Sequence, residues 1–180
     1  MTEKCFFDTD CLSAFLWVRE ESILSRLYAG RIILPMQEVY DELQRVPHLQ
    51  ARVDALKNQG HLRIESIEAG SEEYFDYIQM TTSPENGMRI IGRGEAAGIA
   101  MARHRDGTLA SNNLRDVRLY VEKYKITHIT TGDILIEAMD AGIITEADGN
   151  TIWAEMIRKR RTLPATTFSD YLTIHRKQDP

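Results

Sequence analysis

The sequence predicts an α/β domain of three layers, with a central parallel sheet of about five strands between two sets of helices. Short apolar runs alternate along the chain with longer amphipathic segments, and that alternation calls for crossover connections and parallel strands. At 180 residues, 43% apolar and 27% charged, the chain has material for one core. No internal repeat or low-complexity tract interrupts the pattern.

Taken in order, the first strand is expected at 4–7, where Cys5-Phe6-Phe7 forms a short, wholly apolar run. Further strands are expected at 31–34, 62–67, 108–110 and 127–129, by length and side-chain branching. Helical spacing of apolar residues covers 11–28, 36–44, 48–58 and 71–80 in the first half, then 94–103, 114–123, 132–141 and 146–159. Gly30, Gly60, Gly107 and Gly142 follow helical patterns where a left-handed cap is wanted, and Pro35 and Pro47 mark ends of elements. The loop-like stretch Thr81-Thr82-Ser83-Pro84-Glu85-Asn86-Gly87 reads as a flap beside a site. The domain is expected to span 1–172, with a helical extension over about 145–172, and 173–180 as a tail.

Several classes are excluded early. Cys5 and Cys11 are the only cysteines, which rules out a disulfide scaffold or a four-cysteine zinc module and points to a reducing compartment, by default the cytoplasm. The opening Met1-Thr2-Glu3-Lys4 lacks the apolar core of a signal peptide, and the longest apolar stretch, 96–102, is far too short to span a membrane. Net charge is −5, unevenly spread: residues 1–80 hold eight basic and fourteen acidic side chains, whereas 89–125 hold eight basic and four acidic. Arg158-Lys159-Arg160-Arg161 adds a basic cluster. This balance argues against unselective coating of nucleic acid but suits a phosphodiester bound at an acidic pocket with basic surroundings.

In open parallel sheets the ligand crevice lies at the carboxyl ends of the strands. The residues expected there are Asp8-Thr9-Asp10 after the first strand and Ser111-Asn112-Asn113, then Asp116, after the fourth. Glu38 and Glu42 share a helix face by their spacing, and Glu95 opens a helix. No histidine or cysteine follows a strand, so an imidazole-based nucleophilic mechanism has no evident machinery. Clustered carboxylates repel unless a cation neutralises them, and Mg2+ or Mn2+ prefers such an all-oxygen setting. Metal-dependent phosphodiester hydrolysis follows, with RNA and DNA both open. Tyr74, Phe75, Tyr77 and Ile78 form an aromatic group that reads first as core or dimer packing and second as a stacking platform; Trp17 and Trp153 read as core or interface.

Phe6-Phe7-Asp8-Thr9-Asp10 resembles the opening strand of the PIN-domain ribonucleases. Val39-Tyr40-Asp41-Glu42-Leu43 is similar to their second motif, and Gly92-Arg93-Gly94-Glu95-Ala96-Ala97 to the Gly-Glu-Ala segment of one subgroup. Thr131-Gly132-Asp133-Ile134-Leu135 and Ala141-Gly142-Ile143-Ile144 resemble that subgroup's closing region. Where many members have Thr-Asp-Asp, this chain has Ser111-Asn112-Asn113; Asn113 to Asp116 has the spacing of toxin-type members. The resemblance implies a PIN-like α/β/α fold and endoribonuclease activity with Mg2+ or Mn2+. It casts Asp8, Glu42, Glu95 and Asp116 as catalytic carboxylates, with Asp8, Glu95 and Asp116 on the metal. Thr9, Asp10, Ser111, Asn112 and Asn113 would support them, and Arg93, Arg115 and Arg118 would contact phosphate. RNA, a second copy of the chain and, in toxin-type members, a protein antitoxin are the partners it implies.

Two other readings start from the same residues. Asp8-Thr9-Asp10 also resembles the first motif of haloacid-dehalogenase-like phosphatases, although Gly132-Asp133 and Asp140 lack the later spacing and Cys11-Leu12 replaces the usual Gly-Thr. A PIN-like module that has lost its metal site through Asn112 and Asn113 would instead bind RNA or protein without cutting.

Overall fold

A computed structural model describes residues 3–176. Five strands form one parallel sheet in the order β3-β2-β1-β4-β5: β1 Lys4–Phe7, β2 Ile32–Pro35, β3 Leu62–Glu65, β4 Gly107–Ala110 and β5 His128–Ile129. All strands point the same way, so their carboxyl ends share one edge.

The register explains the three layers. Phe6 lies opposite Ile33 on one side and Leu109 on the other, and all three enter one core with α5 (Glu72–Thr82), α6 (Arg93–His104) and α7 (Leu114–Tyr124). Cys5, Phe7, Ile32 and Ala110, one residue out of phase, face the opposite layer. That layer holds α1 (Thr9–Val18), α2 (Glu21–Tyr28), α4 (Pro47–Asn58), α8 (Thr131–Asp140), α9 (Glu146–Arg158) and α10 (Phe168–Arg176). Alternate side chains of a strand point to opposite faces, so a sheet covered on both needs continuous apolar runs, and Cys5-Phe6-Phe7 is one.

Several expectations change. The pattern at 11–28 is two helices, because Arg19 takes a left-handed conformation (φ 66°) and its N–H closes α1 on Phe15 and Leu16 carbonyls. Apolar spacing continues across this break since both helices pack on the same face of the sheet. Gly107 is no cap: Asp106 takes the left-handed turn (φ 50°) and Gly107 opens β4, where a Cβ would come 2.6 Å from the Phe6 ring. The helix expected at 36–44 is a π-helical turn, Met36–Tyr40, followed by the short α3, Asp41–Leu43. Residues 81–82 belong to α5, and the connection runs from 83 to 92.

The helical extension expected over about 145–172 holds α9 and the start of α10, a separate helix that crosses position 172 to end at Arg176; positions 177–180 of the expected tail lie outside the described residues. Gly132 of α8 makes its docking possible, since a Cβ there would meet the Tyr171 ring at 2.3 Å. Trp153 of α9 is wholly buried beside Phe168 and Tyr171 and donates its indole N–H to the Ala165 carbonyl at 3.0 Å. Among the described residues, no helix is long and apolar enough to cross a membrane.

Candidate active site

Strand β1 delivers Asp8 to the carboxyl edge of the sheet. Its backbone N–H bonds the Ala110 carbonyl at 2.9 Å, extending the β1–β4 pairing, and its side chain caps α1 by accepting the Thr9 N–H at 2.7 Å. Only 5% of Asp8 is exposed. The Ser111 hydroxyl donates to its second oxygen at 3.3 Å. Burial, then the neighbouring Asp10 and Glu95 carboxylates, push the Asp8 carboxyl well above its ordinary range, while the Thr9 and Ser111 donors pull the other way. Asp10 is also raised, by burial, against the opposing pull of the Asn112 and Cys11 N–H groups and the Arg161 charge.

A crevice of about 540 Å³ opens here, with Asp8, Asp10, Glu38, Glu42 and Glu95 on its walls. Helix α6 begins beside it. Gly94, in its first turn, leaves room for Asp8: a Cβ there would come 2.7 Å from Asp8 Oδ1. The π-helical turn and α3 carry Glu38 and Glu42 to the crevice, where Glu42 accepts the Thr9 hydroxyl at 2.7 Å. π-turns are frequent at functional positions because the wider winding re-aims side chains.

Asp116 is joined to this group through one amide. Asn113 Nδ2 donates to Glu95 Oε1 at 3.0 Å and to Asp116 Oδ2 at 2.8 Å, so it holds the α6 and α7 carboxylates together without carrying charge. Asn112 turns elsewhere. Its side chain exchanges two hydrogen bonds of 2.9 Å with the N–H and hydroxyl of Thr131, pinning α8 to the end of β4, and its backbone N–H reaches Asp10 at 3.3 Å.

Of the three arginines singled out in the sequence as phosphate contacts, one lines the crevice. Arg93 lines the crevice, with Nε donating to the Tyr77 hydroxyl at 2.8 Å and a guanidinium nitrogen 3.9 Å from Glu38. Arg115 and Arg118 do not line it; both are exposed on α7, and Arg118 pairs with Glu122. Arg45 and Arg161 do line it. Arg161 comes from the turn after α9, packs against the Trp17 ring at 5.8 Å and reaches Ser13 at 3.5 Å. The basic run 158–161 was visible in the sequence, but only the docking of α9 on α1 places its last residue here.

The donor set is chemically suited to a hard divalent ion: all oxygen, acidic, and without a Lys or Arg ion pair to Asp8, Glu95 or Asp116 among the described residues. Among the described residues, no three His, Cys, Asp or Glu side chains are grouped closely enough to hold such an ion by themselves. Mg2+ does not require that, since it commonly takes one or two carboxylates, several waters and substrate phosphate. Asp8 and Glu95 fit that requirement, with Asp116 tied to Glu95 through Asn113.

Fold and crevice together define a parallel α/β domain of nuclease-like build, with its acids at the carboxyl edge. The chain belongs to the PIN-domain family DUF3368, whose model matches residues 4–176. PIN domains are generally hydrolytic nucleases that use divalent metal ions and bind RNA. No curated protein matches the chain. Family membership sets aside the dehalogenase-like reading, and Asp133, which that reading needs for catalysis, instead caps α8 by accepting the Thr130 N–H and hydroxyl.

Proposed function

We propose that this protein is a divalent-metal-dependent endoribonuclease of the Gly-Glu-Ala subgroup of PIN domains. The observation that carries the reading is Asp8: a carboxyl group 5% exposed, beside Asp10 and Glu95, with hydrogen-bond donors but no ion-pair partner among the described residues. An isolated cluster of this kind is costly to fold around unless a cation joins it. Asp8 and Glu95 would hold Mg2+ or Mn2+, with Asp116 contributing beside Glu95. When bound, the ion would polarise the phosphate and lower the pKa of a water.

The protein groups divide the remaining work. Glu42, fixed by Thr9, lines the same crevice as Glu95 and is suited to accept a proton from an attacking water. Arg45, Arg93 and Arg161 offer paired donors to phosphate oxygens at the rim. Ser111 holds Asp8 and Asn113 holds Glu95 and Asp116, while Asp10, beside Asp8, accepts the Asn112 N–H. Toxin status rests on the Asn113-x-x-Asp116 spacing and would add an antitoxin as protein partner. A homo-oligomer and a cytoplasmic setting belong to the same reading.

A second reading has one observation in its favour. The neutral Asn113 amide fills the space between Glu95 and Asp116, as it would in a PIN domain that binds without cutting. Cleavage of a mixed RNA pool with Mn2+ and with EDTA, for wild type, Asp8→Asn and Asp116→Asn, separates the two. The nuclease reading expects Mn2+-dependent cutting lost in both variants. Cutting untouched by EDTA and both substitutions defeats it, and absence of cutting with RNA binding intact favours the second.

A further inference from the structure

A second cavity of about 430 Å³ lies on the same carboxyl edge, over the ends of β2 and β3 and against α5. Gln37, Glu38 and Arg93 line both cavities, so the two are neighbouring compartments of one groove. Their chemistry differs. The first is ringed by carboxylates; the second is walled by Tyr74, Tyr77, Ile67 and Ile78, with Gln37 and Glu38 at its margin. Tyr77 is buried and fixed by Arg93, and Tyr74 is half-buried with its ring 6.4 Å from that of Tyr77. Apolar walls with a few convergent polar groups are the usual make-up of a small-ligand site, and the volume lies in the usual range.

We propose that this cavity is a nucleobase subsite, receiving the base of a nucleotide that flanks the scissile phosphate in single-stranded RNA. The proposal rests on the nuclease reading for the phosphate's position and on the cavity itself for the base. A polyanion entering this crevice meets carboxylates as well as the three arginines, so a contact that carries no charge adds affinity that the phosphate contacts alone do not supply. A base stacked on Tyr74 supplies one, and unstacked bases of single strands are what aromatic side chains commonly take. Arg93 stands on the divide, where the phosphate linking the two compartments would pass. Gln37 is exposed and its amide both donates and accepts, which suits it to read a base edge. Glu38 only accepts when ionised, so a base with an exocyclic amine is favoured over uracil.

Binding without metal tests this apart from catalysis. A short single-stranded RNA bearing one 2-aminopurine is titrated with the protein in EDTA, and then with Tyr74→Ala, Tyr74→Phe, Gln37→Ala and Phe75→Ala. Stacking predicts that wild-type protein quenches the fluorescence. Tyr74→Ala should bind about ten-fold more weakly, and an abasic site in place of 2-aminopurine should cost about the same. Tyr74→Phe should preserve quenching, and Phe75→Ala, 64% exposed, should match wild type. Gln37 is on the surface, so its loss of base preference does not depend on refolding the core. Absence of quenching by wild type, or Tyr74→Ala and Gln37→Ala binding as wild type does, overturns the subsite. If quenching and its loss are as expected but no RNA is cut with Mn2+, the nuclease reading fails and the subsite stands.

Discussion

Two groups of acidic side chains in this molecule are treated in opposite ways. Where α5 meets the end of α6, Glu73 is only 8% exposed, and Arg105 grips it with two bonds of 2.7 Å while also binding Glu65 and the Ser66 carbonyl. Asp76 nearby receives Arg103 at 2.7 Å and lies 2.6 Å from His104. Around Asp8, a comparable number of acids meet hydroxyls, backbone N–H groups and one amide. The first group is complete as it stands and fastens two helices together. The second leaves Asp8, Glu95 and Asp116 without an ion-pair partner among the described residues, which folding alone does not favour. Burial of acids is therefore not the mark of a site; burial without a countercharge is the informative feature.

The sharpest test of this contrast is Asp8→Asn. RNA cleavage is expected to fall about 10³-fold or more, while the metal-free protein becomes more stable at pH 7, with Tm rising roughly 3 °C, as about 1 kcal/mol would give in a chain of this size. The pH dependence fixes the sign. Asp8 ionises at higher pH in the folded chain than in the unfolded one, so its penalty is absent below the ordinary carboxylate range and grows as pH rises through the raised value. The gain in the Asn variant should vanish on acidification, and calorimetry across pH would show it. A gain that persists in acid would assign the effect to packing.

Arg105→Ala should do the reverse, stranding Glu73 and costing about 3 kcal/mol of stability by urea unfolding, with the catalytic rate per folded molecule unchanged. Gly94→Ala comes next: its Cβ would press on Asp8 Oδ1, so kcat should drop about ten- to a hundred-fold with a smaller change in unfolding free energy. The smallest pair compares two arginines. Arg161→Ala should lower kcat/KM about ten-fold, and Arg118→Ala, exposed and outside the crevice, should change it little and stability by less than about 0.5 kcal/mol. Equal effects of the two would return the phosphate contacts to a diffuse surface field.

Much of the fold was legible because its signals are local. Cys5-Phe6-Phe7 announces a strand buried on both faces, and Asp8 follows it as a polar residue at the edge where parallel sheets bind ligands. Signals failed where one pattern serves two structures. Apolar spacing at 11–28 cannot register the left-handed turn at Arg19, which a non-glycine residue takes. Phe168, Tyr171 and Leu172 have helical spacing in α10, but a pattern of nine residues is short for a helix to stand by itself, and its docking depends on Phe168 and Tyr171 fitting against Gly149 and Gly132. Arg118 was as conspicuous in the sequence as Arg161; which of them reaches the crevice depends on how α7 and α9 lie.

By itself, then, the sequence determined about where the five strands and most of the helices lie, and that Asp8 and Asp10 follow the first strand and Asp116 the fourth, because backbone preference and hydrophobic period act over a few residues. Only the tertiary structure decided that Asn113 spans Glu95 and Asp116, that Arg161 and not Arg118 borders the crevice, and that Tyr74 and Tyr77 wall a cavity sharing Arg93 with it. Those facts depend on packing between segments distant in the chain, and charge compensation is set by distance in space, which no local pattern encodes.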